Sequence, residues 1–423
     1  MRICFISRRF FPAISGMSVY ALNLIRQLTR DGHDVTMISQ YRADPAGVEV
    51  YGGGPPPSVP GVRVIGLESK GEQAVGRGEP ADFESDVAAM VAAVEAEHSR
   101  KPFDVLHAQY GYPNGLAALE ASRRIGVPNL VSIQGGDGHW VGTCCSTHRE
   151  AIRAVLGHAG AVLIGSASFA KEVSGLHGTP ADRFTIVPGA TDTERFRPRD
   201  ESDLGALGDP PSLLYHGRVD ARKGVLELLD AFAELVDGGR ELRLILSGIG
   251  PDVAAVSDRV EWLGLGDRVE LAGYSSYAEA PCVYRRGDLF VSPTYSEGFS
   301  NTILEAMASG LPVVSTRAVG VVDCLEDGRN GLLVEPRDAR GLAAAIARLL
   351  DDGDLRRNLA RHALDDVRTL YSWPAVARTI SRVYEEVAAL PVDNSWADLC
   401  DPGTATVAGS DLSCRFRAQP HLL

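Results

Sequence analysis

Two glutamates, Glu297 and Glu305, have the residue type and the spacing to hold one polar ligand. They lie in the segment SEGFSNTILEAMASGLPVVST, residues 296–316, where an apolar strand gives way to a turn and then a helix. Glu297 precedes the predicted helix and Glu305 falls in its second turn, so both carboxylates can accept hydrogen bonds from the hydroxyls of one sugar-like ligand. If the two glutamates stood alone at this spacing, Glu305 would be better explained as a surface charge that the helix dipole favours near the helix start. The surrounding sequence favours ligand binding instead.

The turn between the two glutamates predicts an anion site. Ser300 or Asn301 is the expected N-cap of the helix, and Gly310 ends it. The first backbone N–H groups of a helix have no partner within the helix, so they suit a phosphate group.

A second loop, GRVDARKG at 217–224, supplies positive charge between a strand and a helix. Arg218 can hold phosphate oxygens in a bidentate manner, and Lys223 offers a compact charge. If these eight residues stood alone, a solvated loop with chance charges would explain them as well as a phosphate-binding loop would. Only four of the 42 Lys and Arg side chains are lysine, however, so a lysine in this position favours a binding role.

The first loop, residues 12–17, contains Gly16 at a predicted helix start, where the missing side chain lets a ligand approach the backbone. The chain contains neither a G-x-G-x-x-G motif nor a Walker A sequence. The sequence therefore argues against a dinucleotide, and we expect no cofactor.

Strands must position these loops, and the chain alternates strands with helices. Apolar runs in the first half predict strands at 2–7, 35–39, 62–67, 104–109, 129–134, 161–166 and 184–188. Those in the second half predict strands at 213–217, 242–248, 269–273, 288–293, 312–316 and 331–334. Helical spacing follows at 224–236, 301–309, 338–351, 354–370 and 374–390, and the Gly- and Pro-rich run 44–61 predicts a loop.

The predicted fold class is α/β, with two doubly wound halves in series. The polar, proline-rich stretch 190–211 is a candidate linker. We place an N-terminal domain at 1–195, a C-terminal domain at 196–373 and a tail of unassigned role at 391–423. Ligands of such sheets bind at the carboxyl ends of the strands, so a cleft between the domains is the expected site.

Composition excludes several classes of protein. The 423 residues carry a net charge of −13, which argues against a nucleic-acid partner, and no apolar run is long enough for a transmembrane segment. The N-terminus lacks the layout of a secretory signal. The seven cysteines show no C-x-x-C pair, so we expect reduced thiols, a cytoplasmic protein and no metal site, with Cys144 and Cys145 as background.

The motifs taken together resemble the retaining GT-B glycosyltransferases of family 4. The resemblance rests on GR-x4-KG at 217–224 and on the EGF-x5-EA-x3-G-x-PVV pattern at 297–314. It extends from residue 1 to about 390 and includes GHDV at 32–35, SGIGP at 247–251 and PGATDTERF at 188–196. The family fold consists of two Rossmann-like domains that face a central cleft.

The resemblance implies a nucleotide-diphosphate sugar as donor, with uridine the commonest base, bound mostly by the C-terminal domain. Arg218 and Lys223 would neutralise the diphosphate as it leaves, Glu297 would contact the transferred sugar, and Glu305 would hold the ribose hydroxyls. Further donor contacts are implied for the backbone around Gly298, Phe299, Ser300 and Asn301, and for Gly16.

The resemblance also implies a reaction without a metal. Retention of configuration at the anomeric carbon is explained in this family by attack of the acceptor on the face from which the diphosphate leaves, with the donor phosphate accepting the acceptor's proton. The last helix, 374–390, would cross back to the first domain. The resemblance leaves the acceptor open among small metabolites, glycans, lipids and natural-product scaffolds, although the acidic balance disfavours a lipid at an anionic membrane. The sequence does not indicate an oligomeric state.

The chain departs from the family pattern in places. Gln134 stands where the family often has a histidine that contacts the donor sugar, and an amide does not titrate near neutral pH. Ser15 and Gly16 replace the usual pair of glycines, and Asp323 replaces a glutamate. These differences bear on which sugar is transferred more than on the reaction.

Two weaker candidates carry simpler alternatives. His107 ends a predicted strand that faces the expected cleft, but a core histidine with satisfied hydrogen bonds fits its position better. Asp137 fits an acceptor contact and a turn cap equally well.

Two other functions compete with glycosyl transfer: a nucleotide-sugar epimerase or hydrolase of GT-B fold, and a nucleotide-sugar-binding module without catalysis. The E-x7-E pair argues against the first. The intact set of Arg218, Lys223, Glu297 and Glu305 argues against the second.

Overall fold

The computed structural model describes residues 1–8, 10, 15–42, 54–70, 81–398 and 414. The chain divides into two units: unit 1 is Met1–Pro188 with Ala377–Leu423, and unit 2 is Gly189–Val376. This division falls a few residues before the domain boundary predicted at 195. The chain rejoins unit 1 at Ala377, inside the helix that was predicted to return to the first domain.

Unit 1 is built on seven parallel strands in the order β3-β2-β1-β4-β5-β6-β7. β1, β4 and β5 are buried along their whole length, which explains why they appear in the sequence as continuous apolar runs. The strands are β1 (Arg2–Ser7), β2 (Asp34–Tyr41), β3 (Val62–Glu68), β4 (Val105–Gln109), β5 (Asn129–Ile133), β6 (Ala161–Ile164) and β7 (Phe184–Ile186).

Helices connect these strands as right-handed crossovers require. Three of the six given below begin at a residue whose side chain caps the first turn, namely Ser15, Asp82 and Ser166. The helices of unit 1 within the described ranges are α1 (Gly16–Arg30), α2 (Phe83–Arg100), α3 (Leu116–Ile125), α4 (Gly136–His139), α5 (Ser146–His158) and α6 (Ala167–His177).

Unit 2 repeats the design with six parallel strands in the order β10-β9-β8-β11-β12-β13. The strands are β8 (Ser212–His216), β9 (Arg243–Ser247), β10 (Val269–Gly273), β11 (Leu289–Ser292), β12 (Val313–Thr316) and β13 (Leu332–Val334). The helices are α7 (Val225–Asp237), α8 (Val253–Trp262), α9 (Ala280–Tyr284), α10 (Asn301–Ala308), α11 (Ala339–Asp351), α12 (Gly353–Leu370) and α13 (Trp373–Ala388), the last of which continues into unit 1.

The predicted α/β class with two doubly wound sheets is confirmed, and each predicted strand has its counterpart. The loop predicted at 44–61 falls largely outside the described residues, although Val59 forms a short antiparallel bridge with Val62. None of the helices in the described ranges is both long and apolar enough to span a bilayer.

The candidate linker at 190–211 is wrong in its first part, which is packed into unit 2. Thr191 forms a parallel bridge with Ser372, and Phe196 is fully buried. The Phe196 ring lies edge-on to Tyr284, with ring centroids 5.5 Å apart. The apolar partners of Phe196 are distant in sequence, so the polar residues around it concealed its role.

We expect Phe196→Ala to lower the free energy of unfolding by about 3–5 kcal/mol, because truncation of a fully buried phenylalanine leaves a cavity. The matched control is Arg197→Ala at the next position, which is exposed and should change stability by no more than about 0.5 kcal/mol. Denaturant unfolding followed by fluorescence measures both. Equal losses in the two variants would contradict the packing described for this segment.

Candidate functional site

The predicted phosphate-binding side chains lie at the carboxyl edge of the unit 2 sheet. β8 ends at His216, and the chain passes through Arg218 into a 3₁₀ turn, Ala221–Lys223, before α7 begins. Asp220 caps this turn, because its side chain accepts a hydrogen bond from the backbone N–H of Arg222 at 3.0 Å. Strand, turn and helix therefore hold both predicted cations at one edge of the sheet.

Asp220 gives the arginines of this loop different roles. Its carboxylate accepts two side-chain hydrogen bonds from Arg222, at 3.0 and 2.7 Å, and these hold the Asp220 pKa at about 2. Arg218 lies farther away, with Nε 3.4 Å from the same carboxylate and 32% of its side chain exposed. Arg222 thus stabilises the turn, whereas the guanidinium of Arg218 retains donors for a ligand.

Lys223 and Glu297 form an ion pair, with Nζ 2.7 Å from Oε1. The backbone holds their two loops together, since the N–H of Tyr295 donates to the carbonyl of Arg222 at 3.0 Å. The two most specific motifs of the sequence therefore meet in space.

Glycine makes this close approach feasible. Gly224 has φ +70°, and a side-chain carbon there would overlap the carbonyl oxygen of Pro293. On the other side, the N–H of Glu297 donates to the carbonyl of Val319 at 2.9 Å. Gly320, with φ +77°, lies so close that a side-chain carbon would overlap the Glu297 carbonyl oxygen. Both positions favour glycine in conformation and in space.

The turn that follows Glu297 leaves the start of α10 without a side-chain cap. Ser300 occupies the N-cap position but makes no capping hydrogen bond, and the buried Oδ1 of Asn301 has no donor among the described residues. Gly298 and Phe299 complete the turn. The first N–H groups of α10 thus lack a side-chain cap, and the anion site predicted at this turn stays a prediction.

Glu305 lies in a different environment from Glu297. It is almost fully buried, and its Oε2 accepts a hydrogen bond from the hydroxyl of Tyr284 at 2.7 Å. Burial raises the pKa of Glu305 to about 7, and the Tyr284 hydrogen bond and the positive charge of Arg195 oppose that rise. The carboxylate therefore titrates near neutral pH.

Three residues that sequence reasoning missed connect Glu305 to the strand ends. The ring of Tyr284 lies edge-on to His216, with centroids 5.2 Å apart, and His216 Nδ1 lies 3.1 Å from the hydroxyl of Ser247. Burial lowers the pKa of His216 to about 4, so its ring is neutral. His216 and Ser247 are the last residues of β8 and β9, and this terminal position is the signal that could have identified them.

Gly16 and Gln134 belong to unit 1, where Gln109 connects their segments. Gln109 Nε2 donates to the carbonyl of Met17 at 3.0 Å and lies 3.5 Å from Oε1 of Gln134. Gly16 begins α1, and a side-chain carbon there would meet no atom within 4 Å. The helix start and Gln134 therefore lie at the same edge of the unit 1 sheet.

His107 and Asp137 are engaged in the interior of unit 1. His107 is fully buried, its two ring nitrogens lie 2.6 Å from the hydroxyls of Tyr384 and Ser132, and burial lowers its pKa to about 3. Asp137 accepts hydrogen bonds from three backbone N–H groups, those of Gly111, Gln134 and Gly135. These contacts favour a core histidine and a turn-capping carboxylate over substrate contacts.

The structure conflicts with the expectation that Cys144 and Cys145 are background. Their sulfurs lie close to His148 and to Cys414, in a group whose residue types suit a metal ion. Sequence spacing hid this group, because Cys414 is 266 positions from His148.

Comparison with known proteins supports the interpretation of these motifs. A model described as glycosyl transferase 4-like domain matches residues 15–190, and one described as glycosyl transferases group 1 matches residues 210–352. A D-inositol 3-phosphate glycosyltransferase from Frankia alni is 31% identical over 399 residues, which cover 87% of this chain and 94% of that protein. The chain belongs to the group 1 glycosyltransferases. It is an enzyme of the GT-B type.

The chain is also similar to another named transferase and, in fold, to solved structures. An alpha-D-kanosaminyltransferase from Streptomyces kanamyceticus is 35% identical over 196 residues, 46% of this chain and half of that enzyme. Sucrose-phosphate synthase from Thermosynechococcus elongatus shares the fold with a TM-score of 0.74 at 24% identity, covering 92% of this glycosyltransferase and 99% of that chain. HepE from Anabaena, solved with UDP, has a TM-score of 0.70 at 20% identity. The match covers 91% of this chain and 100% of that chain.

Gly320→Ala should destabilise the protein more than Gly328→Ala. Both glycines have positive φ, +77° and +76°, so each alanine costs about 1–2 kcal/mol in backbone strain. Only at position 320 does the added carbon meet backbone, and overpacking costs about 1–3 kcal/mol more, whereas position 328 is open. Thermal unfolding of the two variants gives the comparison. Equal losses would contradict the close packing of the loop against Glu297.

The stability of the wild-type protein, compared with Glu305→Gln, should fall as pH rises from about 4.5 to about 7. The folded pKa of Glu305, about 7, lies above its ordinary value of 4.5, so the folded state binds a proton that the unfolded state has lost. The difference in free energy of unfolding between the two proteins, measured by denaturant unfolding at each pH, should change by about 1–3 kcal/mol over this range and stay constant above it. A difference that is independent of pH would contradict the environment described for Glu305.

Proposed function

We propose that this enzyme transfers a sugar, with retention of configuration and without a metal, from a UDP-sugar to a hydroxyl of a small molecule or glycan. The ion pair between Lys223 and Glu297 beside the uncapped start of α10 carries the proposal. Nζ of Lys223 lies 2.7 Å from Oε1 of Glu297, so a cation suited to phosphate and a carboxylate suited to sugar hydroxyls can address one sugar diphosphate.

Lys223, Arg218 and the first N–H groups of α10 bind the diphosphate. Charge develops on the diphosphate as the bond to the sugar breaks, and donors already held in place stabilise it without reorganisation. Arg218 contributes the bidentate geometry and Lys223 the point charge. These groups take the role that a divalent cation has in other transferases.

Glu305 binds the ribose of the donor. A carboxylate accepts hydrogen bonds from two neighbouring hydroxyls, and Tyr284 fixes the orientation of this one. The neutral His216 and the hydroxyl of Ser247 line the adjoining strand ends. Because Glu305 is half protonated near pH 7, donor affinity should increase as pH rises through this value.

Glu297 orients the sugar through its hydroxyls. The acceptor oxygen forms its bond to the anomeric carbon on the face from which the diphosphate departs. The acceptor's proton passes to a phosphate oxygen of the leaving group, and no side chain forms a covalent intermediate. Gly16 and Gln134 stay predictions as further donor contacts.

The named relatives support this proposal. Those with the longest matches are inositol-phosphate glycosyltransferases, and the Anabaena fold relative was solved with UDP and with UDP-glucose. D-inositol 3-phosphate, which the names of these relatives print, is therefore the first acceptor to test.

A thermal-shift titration with UDP, GDP, ADP and TDP tests the choice of base. A ligand at one hundred times its Kd raises the free energy of unfolding by about 2.7 kcal/mol, so UDP should raise Tm most. A larger shift with another nucleotide would refute uridine.

Proton NMR of the product from an α-linked donor should show an α-linkage, and a β-linkage would refute retention. Omission of Mg²⁺ and Mn²⁺ should leave the rate unchanged.

Lys223→Ala should weaken UDP binding roughly ten- to a hundred-fold, because a charge-assisted contact contributes about 1.5–3 kcal/mol. Lys101→Ala is the matched control, since Lys101 forms an exposed ion pair with Asp34 in unit 1. Calorimetric titration of UDP into both variants measures the difference. Wild-type affinity in Lys223→Ala would contradict the assignment, and epimer or free sugar formed without an acceptor would favour the alternative reactions.

A further inference from the structure

Three cysteines and one histidine of unit 1 converge on one point. Cys144, Cys145, His148 and Cys414 each offer one ligand atom, and all four atoms lie within 4.8 Å of one another. The sulfurs of the three cysteines lie 3.2, 3.2 and 3.5 Å from Nδ1 of the His148 ring. Glycosyl transfer, as described above, uses none of these four side chains.

We propose that this cluster binds one Zn²⁺ ion through three thiolates and Nδ1 of His148. Bond lengths of about 2.3 Å to sulfur and about 2.0–2.1 Å to nitrogen in a tetrahedron place sulfur and nitrogen ligand atoms about 3.6 Å apart. The three observed distances to Nδ1 lie within a few tenths of an ångström of that spacing. The four atoms are therefore close enough together to bind one ion.

Local structure positions three of the four ligands. Cys145 is the N-cap residue of α5, and His148 lies in the first turn of that helix, on the same face. His148 is fully buried, and its ring packs against Tyr112 with centroids 4.8 Å apart and against Phe83 at 6.3 Å. The aromatic wall fixes the ring, so that Nδ1 points toward the sulfurs.

The arrangement fits zinc better than a disulfide. A disulfide joins two sulfurs and leaves the third cysteine and the histidine without a role, whereas all three sulfurs here surround the same ring nitrogen. Thiolate and imidazole ligands favour Zn²⁺ over Mg²⁺ or Ca²⁺. On binding, the three thiols lose their protons to solvent, and the site carries one net negative charge.

The site would be structural, because four protein ligands leave no open position for a substrate. Cys414 is the one residue after Asp398 that the structure describes, and it is almost fully buried at this cluster. Zinc binding would attach this distant part of the chain to the start of α5. Because the unfolded chain has no preformed site, the binding free energy of the ion would add to the free energy of unfolding.

Metal analysis of the full-length protein tests the proposal. We expect about one zinc per chain by inductively coupled plasma mass spectrometry after gel filtration, and we expect Cys414→Ser and His148→Ala to lose most of it. The matched control is Cys282→Ser, which alters an exposed cysteine of unit 2 and should keep the wild-type content.

A measurement on the wild-type protein covers the case in which the variants fail to fold. Titration with a mercurial reagent should release the zinc as three thiols react, and cobalt substitution should give the charge-transfer absorption of thiolate-bound Co²⁺. Absence of zinc after growth and reconstitution with zinc chloride would overturn the proposal. So would a different bound metal, a disulfide that includes Cys414, or full zinc content in Cys414→Ser.

Discussion

Backbone contact between loops at the carboxyl edge of the unit 2 sheet is the constraint on which the candidate site depends. Side-chain carbons at Gly224, Gly248 and Gly320 would each overlap a carbonyl oxygen of a neighbouring loop. Parallel strands bring these loops to one edge, and glycine lets them touch. The partly exposed ion pair of Lys223 and Glu297 contributes only about 0–1 kcal/mol to stability. The main effect of this ion pair is to fix the position of the flexible Lys223 side chain beside Glu297, in the turn before α10.

The two glutamates of the E-x7-E pair illustrate how environment separates residues of one type. Glu297 is partly exposed and forms an ion pair with Lys223. Glu305 is buried against Tyr284, and its pKa near 7 reflects the cost of keeping a charge there. A ligand with two hydroxyl donors would replace part of the lost hydration of Glu305. Under the proposed function, donor binding and ionisation of Glu305 would therefore be coupled.

The sequence predicted the sheets, and it predicted that Lys223 and Glu297 lie together, because both depend on short contiguous patterns. Buried parallel strands appear as apolar runs, and each of the two motifs lies in one loop after one strand. Side chains that act through distant partners were not predictable in this way. Phe196 lies in a polar stretch although its ring packs on Tyr284, and His216 joins the site only through Tyr284 and Ser247. The cysteine cluster is the extreme case, since its last member lies 266 positions from His148.

Unit 1 holds its strand-end loops by different means. Gln109 accepts a hydrogen bond from Ser7, donates to the carbonyl of Met17 and approaches Gln134, so one amide connects three segments. Asp137 gathers three backbone N–H groups into one turn, and burial raises its pKa against the opposing effect of those hydrogen bonds. Loops held by polar side chains require particular partners rather than glycine, and different side chains can satisfy the same backbone groups. Short motifs therefore specify the loops of unit 2 that carry Arg218, Lys223 and Glu297 more fully than they specify the loops of unit 1.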